Sequence, residues 1–485
     1  MTSALRFPKD RLKRVTADMA ALIPPGDGAS ASPLPLSLEQ ESFFGPDPVV
    51  APSMAVTFRL EGPVDLAALQ VASFLLLQRH EGLRFRVATD GPEPAQVIAA
   101  PDEIIPEPAA VSPGQVWERV DEAQRTPLDL HGEGPLRIRL YRTGPDDHVL
   151  SMIVHPAALD AWGLGIITRE LWTLYERVHS QAQADLPDLP LSFSDHVRKQ
   201  HATGSRLTAP QRDTHLRQLA DMSQLRLPWH RGEQPSTLWP GQAFALDPAL
   251  VGKISRVARE IHVTTAAILL AGFQLALGMA AGTGAGARAG SLSYIFLGRD
   301  RPDMQGMAAA MARRVPLRFE MIPSVRLRDF IQLTMQTWAT AIGNSGPPYS
   351  SARLTREAGG RLDALEPVFN LRVPPNAAGP NAAGANAAGA NAARPDHGPR
   401  LRIAPAEGAR PRPVPMWPQF GGTALFALVT FGVKPVVTPI YDPLQVPEST
   451  VRAIFGNYEH VIHVIAEGEP LLTVGQLNTS PMKAL

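Results

Sequence analysis

One grammar of strand and helix patterns occurs twice along this chain, and that constrains the fold more than any single residue. The first half reads as a strand (MAVTFRLEG), a helix (VDLAALQVASFLLLQRHEG) and two strands around a DGPEP turn (LRFRV, AQVI). A helix from Gly114 to Arg125 follows, then LRIRLYR and HVLSMIV around a Gly-Pro-Asp-Asp turn, then a helix over GIITRELWTLYERVHSQ. Apolar residues alternate in the strands and recur every three to four positions in the helices. Asp65 and Gly82 punctuate the first helix. The second half reads as a strand (QAFALD), a helix from Pro248 to Ala281 and the strand SLSYIFLG. A polar turn (RDRPDM), the strand RRVPLRFEM and a helix from Leu327 to Ala341 complete it. Two similar α/β halves, each burying the apolar faces of its elements, are the expected architecture.

Composition sets the bounds. At roughly 150 residues per domain, 485 residues would allow about three domains. The apolar fraction of 44% excludes wholesale disorder. Equal numbers of acidic and basic side chains, 46 each, argue against a whole-chain affinity for nucleic acid or anionic membrane. The absence of cysteine rules out disulfides, thiolate metal sites and a cysteine nucleophile. The N-terminus has no apolar core of a signal peptide. The charge-free run Val263 to Ala287 reads as a buried helix rather than a membrane span, so a cytoplasmic protein without membrane partners is expected. The domain reading is a flexible segment 1–32 with a short basic helix from Lys9 to Leu22, an N-terminal lobe 33–190, a Pro-rich crossing 191–240, a C-terminal lobe 241–472 and a tail 473–485. A five-residue repeat at Asn376, Asn381, Asn386 and Asn391 offers little to bury and marks 374–395 as a flexible insertion.

Standard chemical motifs are mostly missing. GTGAGARAG lies between a helix and a strand, the reverse of the order a dinucleotide loop needs, and no metal-spaced cluster is found among the 13 histidines. The informative segment is His155-Pro156-Ala157-Ala158-Leu159-Asp160-Ala161-Trp162-Gly163, directly after a strand. Histidine is the side chain suited to proton transfer near neutral pH, and Asp160 is placed to orient a base or pair with a cation. Alone, a His/Asp pair at this spacing fits equally a packed strand-end histidine and a helix-entry aspartate.

PLSLEQESFF, LQRHEGLRFRV, TPLDLHGEGPLRIRLYR, DHVLSMIVHPAALDAWGLGII, YIFLGRDRP and EPVFNLRV occur in an order that resembles the condensation domains of nonribosomal peptide synthetases, from about Pro33 to Leu472. The resemblance implies a pair of chloramphenicol acetyltransferase-like lobes in a V, with a central tunnel fed by two carrier proteins. The family hallmark is HHxxxDG. His155 matches its first histidine, Asp160 its aspartate, and Arg299 of GRDRP the arginine that pairs with that aspartate. An Asp160–Arg299 ion pair bridging the lobes is therefore expected. The functional second histidine is replaced by Pro156, and the glycine by Ala161. Proline has neither a titratable group nor an N–H, and loss of a general base typically forfeits about 10²–10⁴-fold in rate. Trp162, Ser293, Tyr294, Asn370, Arg313 and Arg314 are the candidate tunnel residues; the two arginines, within MAAAMARRVPLRFE, read as solvent-facing, as altering donor-side access or as a phosphopantetheine contact. Arg84 and Arg86 read as structural.

The resemblance leaves the following readings. One is a free-standing condensation-like protein of a nonribosomal peptide or hybrid polyketide pathway that engages carrier-bound intermediates in a non-catalytic or recruiting role. A second is an active acyltransferase forming an amide or ester through a non-standard centre. A remoter third is a transferase using soluble acyl-CoA. No bound cofactor is expected; the phosphopantetheine arm of a peptidyl or acyl carrier protein would be a tethered substrate. With neither an adenylation nor a carrier segment in the chain, such carriers, or a tailoring enzyme, would be met in trans.

Overall fold

The computed structural model describes residues 33–44, 53–88, 91, 94–101, 108–180, 186–202, 209, 213, 227–229, 241, 243–282, 288–299, 301–344, 367–372, 402–405, 424–468 and 472–477. The N-terminal segment 1–32, the Asn/Ala/Gly repeat and most of the Pro-rich crossing lie outside them. In chain order the elements begin with β1 (Leu34–Pro35), β2 (Met54–Glu61), α1 (Leu66–Arg79), β3 (Phe85–Ala88), β4 (Ala95–Ile98), β5 (Ala109–Ala110) and α2 (Val116–Arg125). Next come β6 (Leu136–Arg142), β7 (Asp147–Val154), α3 (Ala161–Ser180), α4 (Phe193–Ala202), β8 (Phe244–Ala245), α5 (Ala249–Glu260), α6 (Thr265–Ala280), β9 (Arg288–Phe296) and β10 (Arg313–Met321). The last are α7 (Leu327–Asn344), β11 (Pro367–Arg372), β12 (Arg402–Pro405), β13 (Leu425–Thr430), β14 (Val436–Tyr441), α8 (Glu448–Ala466) and α9 (Val474–Leu477).

The described residues fall into two compact units. The first takes those within Met1–Gly204, Arg299–Met311 and Ala390–Arg410; the second takes the rest. The segments 299–311 and 402–405 thus leave the expected C-terminal lobe and join the first unit. Long-range pairing decides this, and spacing along the chain carries no trace of it.

In the first unit a five-stranded sheet runs in the order β12-β2-β7-β6-β5, and a small sheet in the order β1-β4-β3. Register places Met152 of β7 between Val56 and Ile138. Alternation then sends Leu60, Ile138, Leu150 and Met152 into one core with Leu69 and Leu76 of α1 and Ile167 and Leu171 of α3. Asp65 caps α1, its Oδ1 accepting from the Ala68 N–H at 3.0 Å, as the sequence suggests. β7 is buried along almost its whole length because α2 adds Val116 and Val120 over Tyr141 and Val149.

The second unit holds a six-stranded sheet, β10-β9-β11-β13-β14-β8, parallel across β9, β11 and β13 and antiparallel elsewhere. The single helix expected from Pro248 to Ala281 is two helices, α5 and α6, bent by 102°. His262 adopts a left-handed φ of 57°, and the Thr264 hydroxyl accepts from the Ala267 N–H at 3.1 Å to restart the helix. α6 is buried along most of its length, which explains its uniform apolarity. Among the described residues no single helix is long and apolar enough to cross a membrane.

Candidate functional site at the end of β7

β7 runs out of the core at Val154 and delivers His155 to a turn over Pro156, Ala157 and Ala158. The His155 N–H donates to the Pro135 carbonyl at 2.8 Å, and the Ala158 N–H donates back to the His155 carbonyl at 2.9 Å. The imidazole is buried, its ring 6.0 Å from Phe43 edge-on and 6.5 Å from Phe44 in a stacked arrangement. Its Nδ1 accepts from the Ala157 N–H at 3.2 Å, which fixes the proton on Nε2. Burial pushes its pKa down to about 4, so the ring is neutral at pH 7. The two phenylalanines were not singled out from the sequence, although their adjacency in LEQESFF was the available signal.

Asp160 stands at the start of α3 and is almost completely hydrogen-bonded. Its Oδ2 accepts from Arg299 Nη1 at 2.6 Å and from the Met311 N–H at 3.0 Å. Its Oδ1 accepts from Arg299 Nη2 at 3.0 Å and from the Gly163 N–H at 2.8 Å. The side chains of Arg299 and Asp160 are 2% and 9% exposed, so this bidentate pair works in a low-dielectric setting. Both residues fall in the first unit. Trp162 lies beside it, its indole N–H donating to the Gln305 carbonyl at 3.0 Å and its ring centroid 6.0 Å from the Arg299 guanidinium. Also facing this arginine is the buried His196, held neutral with its pKa lowered to about 4 by burial first and by Arg299 and Arg301 second.

The remaining candidates lie in the second unit. Ser293 pairs in register with Val368, and Tyr294 with Phe369. Side chains alternate across a sheet, so Ser293 and Asn370 share one face while Tyr294 points to the other. There the Tyr294 ring packs 5.0 Å from Trp338 inside the apolar core. The expectation that Tyr294 joins Ser293 and Asn370 is therefore corrected by strand register. Arg313 and Arg314 separate in the same way: Arg313 is the register partner of Phe296, with its guanidinium 5.0 Å from that ring, and Arg314 is the partner of Ile295, on the Ser293 face. Both arginines are half-buried. Among the described residues no group of three or more His, Asp or Glu is placed to hold a metal ion.

The other quoted motifs build this frame. Gln40 and Gln96 exchange side-chain hydrogen bonds at 2.8 and 3.2 Å, and Gln200 donates to the buried Glu39 at 2.9 Å. Arg79 and His80 both meet Glu170 Oε2, at 2.9 and 2.7 Å. Glu81 accepts from the Ser194 N–H at 2.8 Å at the start of α4, and Arg84 donates to the Leu77 carbonyl at 2.8 Å.

The condensation-domain description matches residues 50–376, well over half of the chain. This chain belongs to the condensation-domain family. It is 30% identical over 247 residues to chondramide synthase cmdD of Chondromyces crocatus, covering 48% of this chain and 6% of that protein. It is 28% identical over 334 residues to the isonitrile lipopeptide synthase of Mycobacterium tuberculosis, covering 65% of this chain and 13% of that protein. The chain therefore spans only a small part of these relatives. Among solved structures, the X-domain from teicoplanin biosynthesis superposes with a TM-score of 0.73 at 18% identity, covering 94% of this chain and 98% of the X-domain. The first condensation domain of the calcium-dependent antibiotic synthetase gives 0.68 at 17%, covering 92% and 99%. At such identities these likenesses establish the condensation-domain fold alone.

Proposed function

We propose that this condensation-family protein engages carrier-bound intermediates of a nonribosomal peptide or hybrid polyketide pathway without forming the bond itself, and that it recruits another protein to them. The observation that carries this reading is the turn after β7. The position matched to the family's functional histidine is Pro156, and the adjacent imidazole is neutral, buried and committed through Nδ1 to the Ala157 N–H. Neither group can take a proton from an acceptor amine. The phosphopantetheine arm of a carrier protein would be the tethered substrate. The teicoplanin X-domain, which shares this fold, has been solved in complex with OxyB, and that complex supports a tailoring enzyme as the recruited partner here. A cytoplasmic location fits this role.

A second reading is an acyltransferase forming an amide or ester through other polar groups. It draws on Ser293 and Asn370 sharing one sheet face. Intact mass spectrometry of the purified protein with carrier-bound donor and acceptor separates the two. The expected result is no product from the wild type and product from Pro156→His, on the order of 10²-fold or more above background. Product from the wild type that survives Pro156→Ala and is lost in Ser293→Ala would replace the recruiting reading with the acyltransferase one.

A further inference from the structure

β9 and β10 form an antiparallel hairpin in the second unit, with Phe296 and Arg313 as register partners at its last pair. The chain that joins them is built into the first unit. Met307, Ala308, Ala309 and Met311 are each under 5% exposed and belong to the same core as α1 and α3. Two glycines give this segment room. A Cβ at Gly82 would lie 3.0 Å from the Ala308 carbonyl oxygen, and a Cβ at Gly163 would lie 3.2 Å from that of Ala309 and 3.0 Å from Leu159 Cδ2. The backbone polar groups of the segment are also taken up. Arg299 Nη2 donates to the carbonyls of Met307 and Ala309 at 3.3 and 2.9 Å, the Met311 N–H goes to Asp160, and the Gln305 carbonyl accepts from Trp162.

We propose that Arg299 and residues 301–311 are an obligate strap of the first unit, whose release and the unfolding of that unit are a single event. Removing the strap would strip four apolar residues from the core and leave Asp160 buried without its cation. The glycines at 82 and 163 are then fitted to the backbone of Ala308 and Ala309.

The test is native-state hydrogen exchange on the full chain, read by mass spectrometry across a urea series. In the wild type, peptides of the strap and of α3 should lose protection at the same urea concentration. In Arg299→Met both should exchange faster together, on the order of 10²–10³-fold, because an unpaired buried carboxylate remains. Peptides of α6 should change by less than about threefold, as expected for a site with no shared partners. If Arg299→Met does not fold, Gly82→Ala provides the same comparison at about 10-fold, through crowding of the Ala308 carbonyl. Strap peptides that exchange freely while α3 keeps its protection, in the wild type or in either variant, would overturn the proposal and make the segment a detachable loop.

Discussion

The two units hold themselves together by different means. The first is pinned by buried polar contacts: Glu170 with Arg79 and His80, Asp160 with Arg299, and the Gln40–Gln96 amide pair. Among the described residues the second is built around apolar packing on α6, with buried polar pairs at Thr334–Gln274 and Gln445–Asp442, each at 2.8 Å. Among the described residues, both units also bury polar atoms without a hydrogen-bond partner: His148 Nδ1 and the Ser194 hydroxyl in the first, and the Tyr294 and Tyr458 hydroxyls and Trp338 indole N–H in the second. Ionic and amide contacts demand particular residues at particular places, whereas a packed core accepts many apolar combinations of similar volume. The contrast explains why the recognisable motifs crowd into the first unit.

Substitutions can break or sharpen that contrast. The largest effect is expected at Glu170→Ala, which leaves Arg79 and His80 buried without an anion and should cost the first unit about 3–5 kcal/mol in urea unfolding. Phe273→Ala in the second unit should cost a similar amount through a cavity. The two differ in rescue: adding an uncharged replacement at Arg79 should recover much of the Glu170 loss, while no polar change should recover the Phe273 loss. Acidification comes next. His155 and His196 are both in the first unit with pKa values lowered to about 4. The unfolded chain binds their protons first, so their stability contribution is intact above pH 6.5 and falls as the pH drops toward 4. Between pH 6.5 and 5.5 the loss should be about 1 kcal/mol per imidazole. Hydrogen exchange should show the first unit weakening before the second, and equal weakening would refute the assignment. Tyr294→Phe should have the smallest effect. Removing a buried hydroxyl without a partner should leave the melting temperature unchanged or raise it, by up to about 1 kcal/mol of stability.

What was legible in the sequence divides along the same line. The Asp65 cap, the hairpin from Leu136 to Val154 and the α3 pattern were readable because each is set within a few residues. The Asp160–Arg299 pairing became visible only through the family resemblance, since 139 positions separate the partners. The break between α5 and α6 was hidden because one left-handed residue, His262, interrupts a pattern whose apolar periodicity continues on both sides. Tyr294 was misplaced because a one-residue step along a strand reverses the face, and only the β9–β11 register reveals which face is which. β12 could not be placed at all from its neighbours in the chain, because its hydrogen bonds go to β2.

That last strand bears on recombination between relatives. Arg402–Pro405 lies on the edge of a sheet whose other strands all precede residue 155, with Ile403 opposite Leu60. A chimera joined at a single crossover near residue 204 would inherit four strands of that sheet from one parent and the fifth from the other. The inherited edge would have to match a foreign β2 in both register and side-chain shape. Exchange of the first unit as a functional block therefore calls for three coordinated cut segments rather than one.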